Sequence, residues 1–362
     1  MRRGGRIGLL VMAGAVLAGA ASPAGTEAVE PYLSIRTGLK CSQCHTNVTG
    51  GGNRTAFGSV FAQTALPWRT SAVVGKALND VLSVGWDLRA EASGTLRRST
   101  PRTTMGLDVA QVYLEARLLR DRITLYIDET VGPDRAASRE AFAMARHLPG
   151  NGYAKAGKFL LPFGFRLQDD AEFVRERTGF TYFTPDQGVE VGFEPGPLAL
   201  SVALTNGSAG AAENNSGKQV SSRAAVVFRH GRIGASAATN RETASRRSVV
   251  GGFGGMTVGP LVVMGEVDYI RDAPDAGNDM RQLAAFAEAD LAATRGFNIK
   301  ATYGYLDPNL DVDENQRVRA RFGLEAFPVP FVRLAMFYLF LEDIPQARGD
   351  LDRVSLEAHL HF

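Results

Sequence analysis

Cysteine is scarce in this chain: its 362 residues include two, and both lie in the pentapeptide Cys-Ser-Gln-Cys-His at positions 41–45. Two cysteines are too few for the disulfide framework that stabilises small secreted domains. No βαβ pattern surrounds them, which argues against a thioredoxin-like redox centre. A single disulfide, a redox Cys-x-x-Cys and a chance pentapeptide remain as alternatives to a specific motif.

Long apolar runs and an excess of one charge are also missing. Downstream of the N-terminus, no segment approaches the ~20 consecutive apolar residues that a transmembrane helix requires. The sequence therefore predicts no transmembrane helix. The formal net charge is +2, and so small a charge gives no reason to expect a nucleic-acid partner.

The N-terminus has the pattern of an export signal. Three arginines precede residue 7, an apolar stretch runs from Ile7 to Ala20, and small residues follow. The stretch is too short to span a bilayer, and Ala20 and Ala28 are suitable cleavage points. We predict that residues 1–28 are a secretory signal peptide, removed in the mature protein.

Cys-x-x-Cys-His is the attachment motif of c-type haem. Two thiols at this spacing can both add to the vinyl groups of the haem, and the following histidine then lies under the iron as its proximal ligand. We therefore predict one covalently attached haem c on Cys41 and Cys44, with His45 as the proximal ligand. Export fits this chemistry, because bacterial c-type attachment takes place outside the cytoplasm.

From residue 80 to residue 362 the hydrophobic pattern has a period of two. In the first segment Leu82, Val84 and Trp86 alternate with polar residues, and the same alternation continues to Phe362. A soluble β-sandwich places its polar face in water, whereas an outer-membrane barrel places it in the lumen. About 16 strands can be counted, an even number, so both chain ends are expected on the periplasmic side.

The lengths of the connections favour the barrel over the sandwich. Short and long connections alternate, as expected for tight periplasmic turns and longer outer loops. The fold class is therefore predicted as all-β, a transmembrane antiparallel barrel of about 16 strands preceded by a short helical haem segment. The predicted long connections are 97–102, 132–138, 161–186, 207–217, 240–247, 272–279, 307–314 and 343–350.

The longest of these, 161–186, mixes carboxylates with arginines. Loops usually run over the protein surface, so we predict a solvated external loop, with a constriction folded into the lumen as the alternative. On the strands, Arg317, Arg319 and Arg321 form a basic stripe that faces the lumen. We expect strand carboxylates to balance it, with pairing to haem propionates as the alternative.

Residues 29–75 hold the haem motif and are too few to bury a core of their own. The lumen of a barrel of this size can supply the missing walls. We place this segment in or just beneath the periplasmic mouth. Within it, residues 53–64 are predicted to form a helix whose face of Phe57, Val60 and Phe61 covers the haem.

The run from Arg36 through the motif to Thr46, followed by Phe57-Gly-Ser-Val-Phe61, resembles the N-terminus of outer-membrane porin–cytochrome fusions. Known members include iron-oxidising outer-membrane cytochromes. The resemblance implies one c-type haem joined to a porin-like barrel, and electrons passed from an external donor such as Fe(II) to periplasmic carriers. It carries over Cys41, Cys44 and His45 as haem-binding residues.

Two functions of different classes follow. The first is electron transfer across the outer membrane, with membrane lipid, periplasmic electron carriers and an external metal ion as partners. The second is a passive porin in which the haem segment is only a plug. Attachment of haem is chemically demanding and a plug does not need it, so the first is preferred. Whether the chain is also an enzyme, an Fe(II) oxidase, stays open.

The sixth ligand of the haem iron has to come from the barrel. No His or Met lies between Thr46 and Thr104. His359 and His361 face the lumen on a strand that ends at the periplasm, which makes them candidates for the distal ligand. The other candidates near short turns are Met264, His147 and His230.

Overall fold

A computed structural model describes residues 31–70, 79, 81–96, 101–132, 136–213, 215–343 and 351–362. The predicted signal peptide and residues 29–30 and 71–75 of the predicted haem segment lie outside these ranges. The helices are α1 Pro31–Thr37, α2 Cys41–Cys44, α3 Ala56–Thr64 and α4 Phe173–Glu176. The strands are β1 Leu82–Thr95, β2 Thr103–Leu118, β3 Ile123–Gly132, β4 Ala137–Leu148, β5 Gly152–Phe159, β6 Asp186–Phe193, β7 Leu198–Thr205, β8 Gln219–Phe228, β9 Gly231–Arg241, β10 Ser245–Val258, β11 Leu261–Pro274, β12 Met280–Thr294, β13 Phe297–Asp307, β14 Arg317–Ala326, β15 Val332–Asp343 and β16 Leu351–His361.

The sixteen described strands close into one antiparallel barrel in which each strand pairs with its neighbours in sequence. The first and last strands complete the ring, with Asp87 opposite His361. Trp86 and Phe362 exchange two backbone hydrogen bonds of 3.0 and 2.9 Å at this seam. The predicted fold class and the predicted closure from about Val81 to Phe362 are therefore confirmed.

Burial alternates along the strands as the sequence pattern predicts. In β1, Asp87 and Arg89 are buried, whereas Leu88 is 36% exposed. In β16, His359 is fully buried and its neighbour Leu360 is 37% exposed. This places polar side chains in the lumen and apolar side chains on the outer wall, as in outer-membrane barrels. No helix among the described residues is both long and apolar enough to cross a membrane.

The two ends of the barrel differ in the lengths of their connections. One end carries the short turns 119–122, 149–151, 194–197, 229–230, 259–260, 295–296 and 327–331. The opposite end carries longer connections, of which 160–185 is the longest. Two connections at this end are as short as the turns at the other end. β3 and β4 leave only residues 133–136 between them, and β9 and β10 extend further than the pattern indicates and leave only residues 242–244.

The longest loop, 160–185, folds into the lumen. Phe165 and Phe173 are about 2% exposed, and they pack in the main buried cluster with apolar residues of the barrel wall. The prediction of a solvated external loop is therefore wrong. Aromatic side chains stabilise this inward position, because burying each large side chain contributes about 1.5–3 kcal/mol.

The loop carboxylates pair with the basic stripe on β14. Asp169 lies 2.6 Å from Arg319 and 2.9 Å from Arg321, and Glu172 lies 2.5 Å from Arg319. Burial raises the pKa of Asp169, but the two guanidinium groups outweigh this and hold it at about 2. Burial raises the pKa of Glu172 to about 7. The stripe is thus balanced mainly by the loop, and not by the strand carboxylates that we predicted.

Candidate functional site

The N-terminal segment, residues 31–70, lies in the barrel at the end with the short turns. Its backbone pairs with that rim: the Trp68 amide donates to the Phe327 carbonyl at 2.8 Å. A side chain of a short turn also holds the segment: Arg295 Nε donates to the Pro67 carbonyl at 2.9 Å. From the segment itself, Lys40 Nζ donates to the Glu194 carbonyl at 3.0 Å.

The residues that follow the motif are fixed to the barrel wall at β2 and β4. Thr46 Oγ1 and Asn53 Nδ2 donate to Glu115 Oε2 at 2.8 and 3.0 Å. Asn47 Nδ2 donates to Glu140 Oε1 at 2.6 Å. All three segment residues are fully buried. These hydrogen bonds to β2 and β4 hold the loop between the motif and α3 in one place.

The motif forms a single helical turn, α2, which brings both cysteines to one side because residues three apart are neighbours on a helix. The His45 amide donates to the Cys41 carbonyl at 2.9 Å, and His45 forms a β-bridge with Arg54. Burial and the neighbouring Cys41 raise the pKa of the Cys44 thiol. Cys44 is therefore a neutral thiol at neutral pH, the form whose S–H adds to a vinyl group.

Helix α3 crosses close to the motif, and Gly58 makes this possible. A Cβ atom at Gly58 would lie 2.1 Å from the Cys44 carbonyl oxygen. This contact turns the side of Gly58 and Ala62 toward the motif, and leaves Phe57 51% and Val60 43% exposed. The predicted helix is present. The prediction that Phe57 and Val60 cover the haem site is wrong, because both are exposed. Of the three predicted residues, Phe61 alone lines the pocket described next.

Cys41, Cys44 and His45 open into a pocket with about 1160 Å³ of empty space, part of it open to solvent. Ligand sites in proteins are commonly concave and mostly apolar, with a few polar groups, and this pocket has that character. The apolar side chains come from the N-terminal segment, the inward loop and a short turn. They are Leu33, Leu39, Phe61, Ala62, Leu66, Leu161, Phe163, Phe165 and Phe327.

The polar part of the lining is basic. Among the described residues it includes no Asp or Glu, although the lumen as a whole is rich in both. Its cationic side chains are Lys40, Arg54, Arg166, Arg223, Arg232 and Arg333. Sequence reasoning placed its basic stripe on β14 and missed this set. Strand parity could have placed Arg223 and Arg232 in the lumen, but not at the height of the motif.

Two barrel histidines complete the lining. His359 and His361 project from β16 into the same pocket as His45, and their ring centroids are 5.0 Å apart. His359 Nε2 lies 2.8 Å from Asp87 Oδ2. The structure thus brings together the motif and both preferred candidates for the distal ligand.

The other three candidates lie elsewhere. Met264 is buried in the main apolar cluster. His147 lies at the rim, where it is 3.6 Å from Asp121, and His230 lies in the turn 229–230. None of the three belongs to the described lining of the pocket.

The residues of the pocket fit a c-type haem. Two thiols on one side of α2 can form the thioethers, and His45 follows them directly. The apolar walls suit the porphyrin faces, and the carboxylate-free basic side suits the two propionates. The Tyr126 hydroxyl lies outside this lining; it accepts a hydrogen bond from the Asn53 amide at 3.0 Å and so holds the N-terminal segment instead.

No protein-family model matches the sequence, and no curated protein matches it. Solved structures match in fold. The outer-membrane protein OmpT of Vibrio cholerae is 14% identical with a TM-score of 0.61, and the match covers 78% of this chain and 99% of that chain. An anion-selective porin from Comamonas acidovorans is 11% identical with a TM-score of 0.62, with the same coverage. The chain therefore has the fold of an outer-membrane porin.

Proposed function

We propose that this chain is an electron-transfer protein of the bacterial outer membrane that carries one covalent haem c. Cys41 and Cys44 hold the haem and His45 is its proximal ligand. The observation that carries the proposal is the pocket, where the motif, two barrel histidines and a basic wall without carboxylates meet inside a porin-type barrel. A chance pentapeptide gives no reason for such a convergence.

A haem bound here supplies a one-electron redox couple. Apolar walls would limit the contact of the porphyrin with water, and His45 would set the ligation and the potential of the iron. Cys41, Cys44 and His45 are only half-buried at the end with the short turns. Short turns face the periplasm in bacterial barrels. The site is therefore suited to exchange electrons with periplasmic carriers, and an external donor such as Fe(II) approaches from the other end.

Passive diffusion of solutes is the second candidate, and the contents of the lumen argue against it. The N-terminal segment occupies one end, and the loop 160–185 folds in from the other. The two touch, because Arg166 of the loop donates to the Gly50 carbonyl of the segment at 2.5 Å. The loop also reaches the opposite wall, where Arg333 Nη2 donates to Gln168 Oε1 at 3.0 Å.

The function is tested with purified full-length protein. Stopped-flow absorbance should show reduction of the haem by Fe(II) or another candidate donor and its reoxidation by a soluble c-type cytochrome. Planar-bilayer recordings should show little conductance, with a general diffusion porin as the positive control. If the protein conducts like the control and its absorbance does not change with any donor, the result would support the passive porin instead.

The distal ligand is tested by replacing His359 and His361 with glutamine, singly and together. Glutamine keeps polarity and approximate volume, so the barrel should still close. If either histidine ligates the iron, its loss should convert the low-spin absorbance spectrum to high-spin and speed the binding of cyanide. His230→Gln, in the short turn 229–230 and outside the described lining of the pocket, is the matched control. An unchanged low-spin spectrum in the double variant would exclude both.

A further inference from the structure

Three arginines of the pocket, Arg166, Arg223 and Arg232, bind backbone carbonyls and form no ion pair with any carboxylate of the described residues. Arg223 Nε donates to the Gly164 carbonyl at 2.8 Å. Arg232 Nη2 donates to the Leu39 carbonyl at 2.6 Å. These bonds fix the direction of each guanidinium group but do not neutralise its charge.

Several other arginines of the lumen are paired with carboxylates. Arg175 pairs with Glu266, and Arg319 pairs with Asp169 and Glu172. Arg232 is only 4% exposed, and its Nε is buried with no hydrogen-bond partner among the described residues. A buried charge without a counter-ion is strongly unfavourable, because the lost hydration is not replaced. The missing counter-ion of Arg232 therefore points to an anion that these arginines receive.

We propose that Arg223 and Arg232, supported by Arg166, are the binding site for the two carboxylate groups of the cofactor held by Cys41 and Cys44. This inference rests on the proposed function, since that cofactor is the haem and those groups are its propionates. Arginine suits the task because its planar fork of donors matches a carboxylate in two-point contact. The absence of Asp and Glu from the described lining removes competitors for these donors.

This binding site also acts on the redox chemistry. Reduction lowers the charge of the iron by one, so nearby cations favour the reduced state and raise the potential. They also keep the propionates ionised at mildly acidic pH. Arg223 and Arg232 are thus positioning residues that place the haem and also tune it.

The test uses the full-length holoprotein and spectroelectrochemistry. In Arg223→Gln/Arg232→Gln the equilibrium constant for reduction should fall at least tenfold at neutral pH, which corresponds to about 59 mV for one electron. The potential of the variant should rise again as the pH falls and the propionates become protonated. The wild-type potential should change much less over the same pH range. Arg223→Lys/Arg232→Lys keeps both charges and should restore most of the potential.

The control Arg247→Gln/Arg271→Gln removes the same charge at positions outside the pocket, where each arginine pairs with an aspartate. Its potential should equal that of the wild type. Haem-loaded glutamine variants with the potential and pH profile of the wild type would overturn this inference alone. A wild type without covalent haem would overturn the proposed function and this inference together. If the double glutamine variant does not fold, the single variants Arg223→Gln and Arg232→Gln decide: each should lower the equilibrium constant for reduction, and a wild-type potential in both would overturn this inference.

Discussion

Replacing Cys41 and Cys44 together with alanine is expected to remove all covalently bound haem while leaving the barrel intact. Both thiols lie on the single turn α2, which makes no strand pairing. The segment around them is held by other residues, such as Thr46 and Asn53 through Glu115. The substitution therefore removes the attachment chemistry without removing the anchors of the segment.

Haem staining after denaturing electrophoresis measures the result, because only thioether-linked haem stays with the unfolded chain. The wild type should stain and the double variant should not; each single variant should keep one thioether and stain weakly. Heat-modifiable mobility of the same samples is the control for a folded barrel. Colour that migrates with the double variant would show that the motif is not the attachment site.

His45→Ala is expected to abolish electron transfer from every donor that the wild type oxidises. The proximal ligand sets the coordination and the potential of haem iron, and alanine offers no replacement atom. The His45 amide still donates to the Cys41 carbonyl in the variant, because that bond belongs to the backbone. Covalent haem should consequently remain bound while its spectrum and its rate of reduction change.

Absorbance spectra and stopped-flow reduction measure both effects in one sample. His147→Ala is the matched control, because this histidine lies at the rim with its side chain 56% exposed and outside the pocket. The control should reduce at the wild-type rate. Normal reduction in His45→Ala, at unchanged haem content, would contradict the assignment of His45 and the role of the motif in electron transfer.

The alternating hydrophobic pattern of the sequence predicted the strands of the barrel correctly. Alternation across β1 and β16 follows from the two-residue period of a strand, and this period survives folding because each strand meets lipid on one side and the lumen on the other. The inward parity of His359 and His361 followed from the same rule. The predicted length of the connection failed at residues 242–244, because the hydrophobic pattern does not show how far a strand pair extends beyond the membrane.

The position of the loop 160–185 and the face of α3 could not be predicted in this way. The loop turns inward because Phe165 and Phe173 find apolar neighbours on the wall and Asp169 finds Arg319. Those partners come from strands far along the chain. For α3, one close contact between Gly58 and Cys44 decides which side is buried, and the distribution of apolar residues does not reveal it.

The amino-acid sequence by itself determined the sixteen-strand barrel and the prediction of a haem site at Cys41, Cys44 and His45, because period, turn length and motif are local properties. Only the tertiary structure decided that His359, His361, Arg223 and Arg232 surround that motif. Parity shows which side of the wall a residue faces but not its height or its neighbours across the lumen. Closure of the ring and insertion of the N-terminal segment determine both.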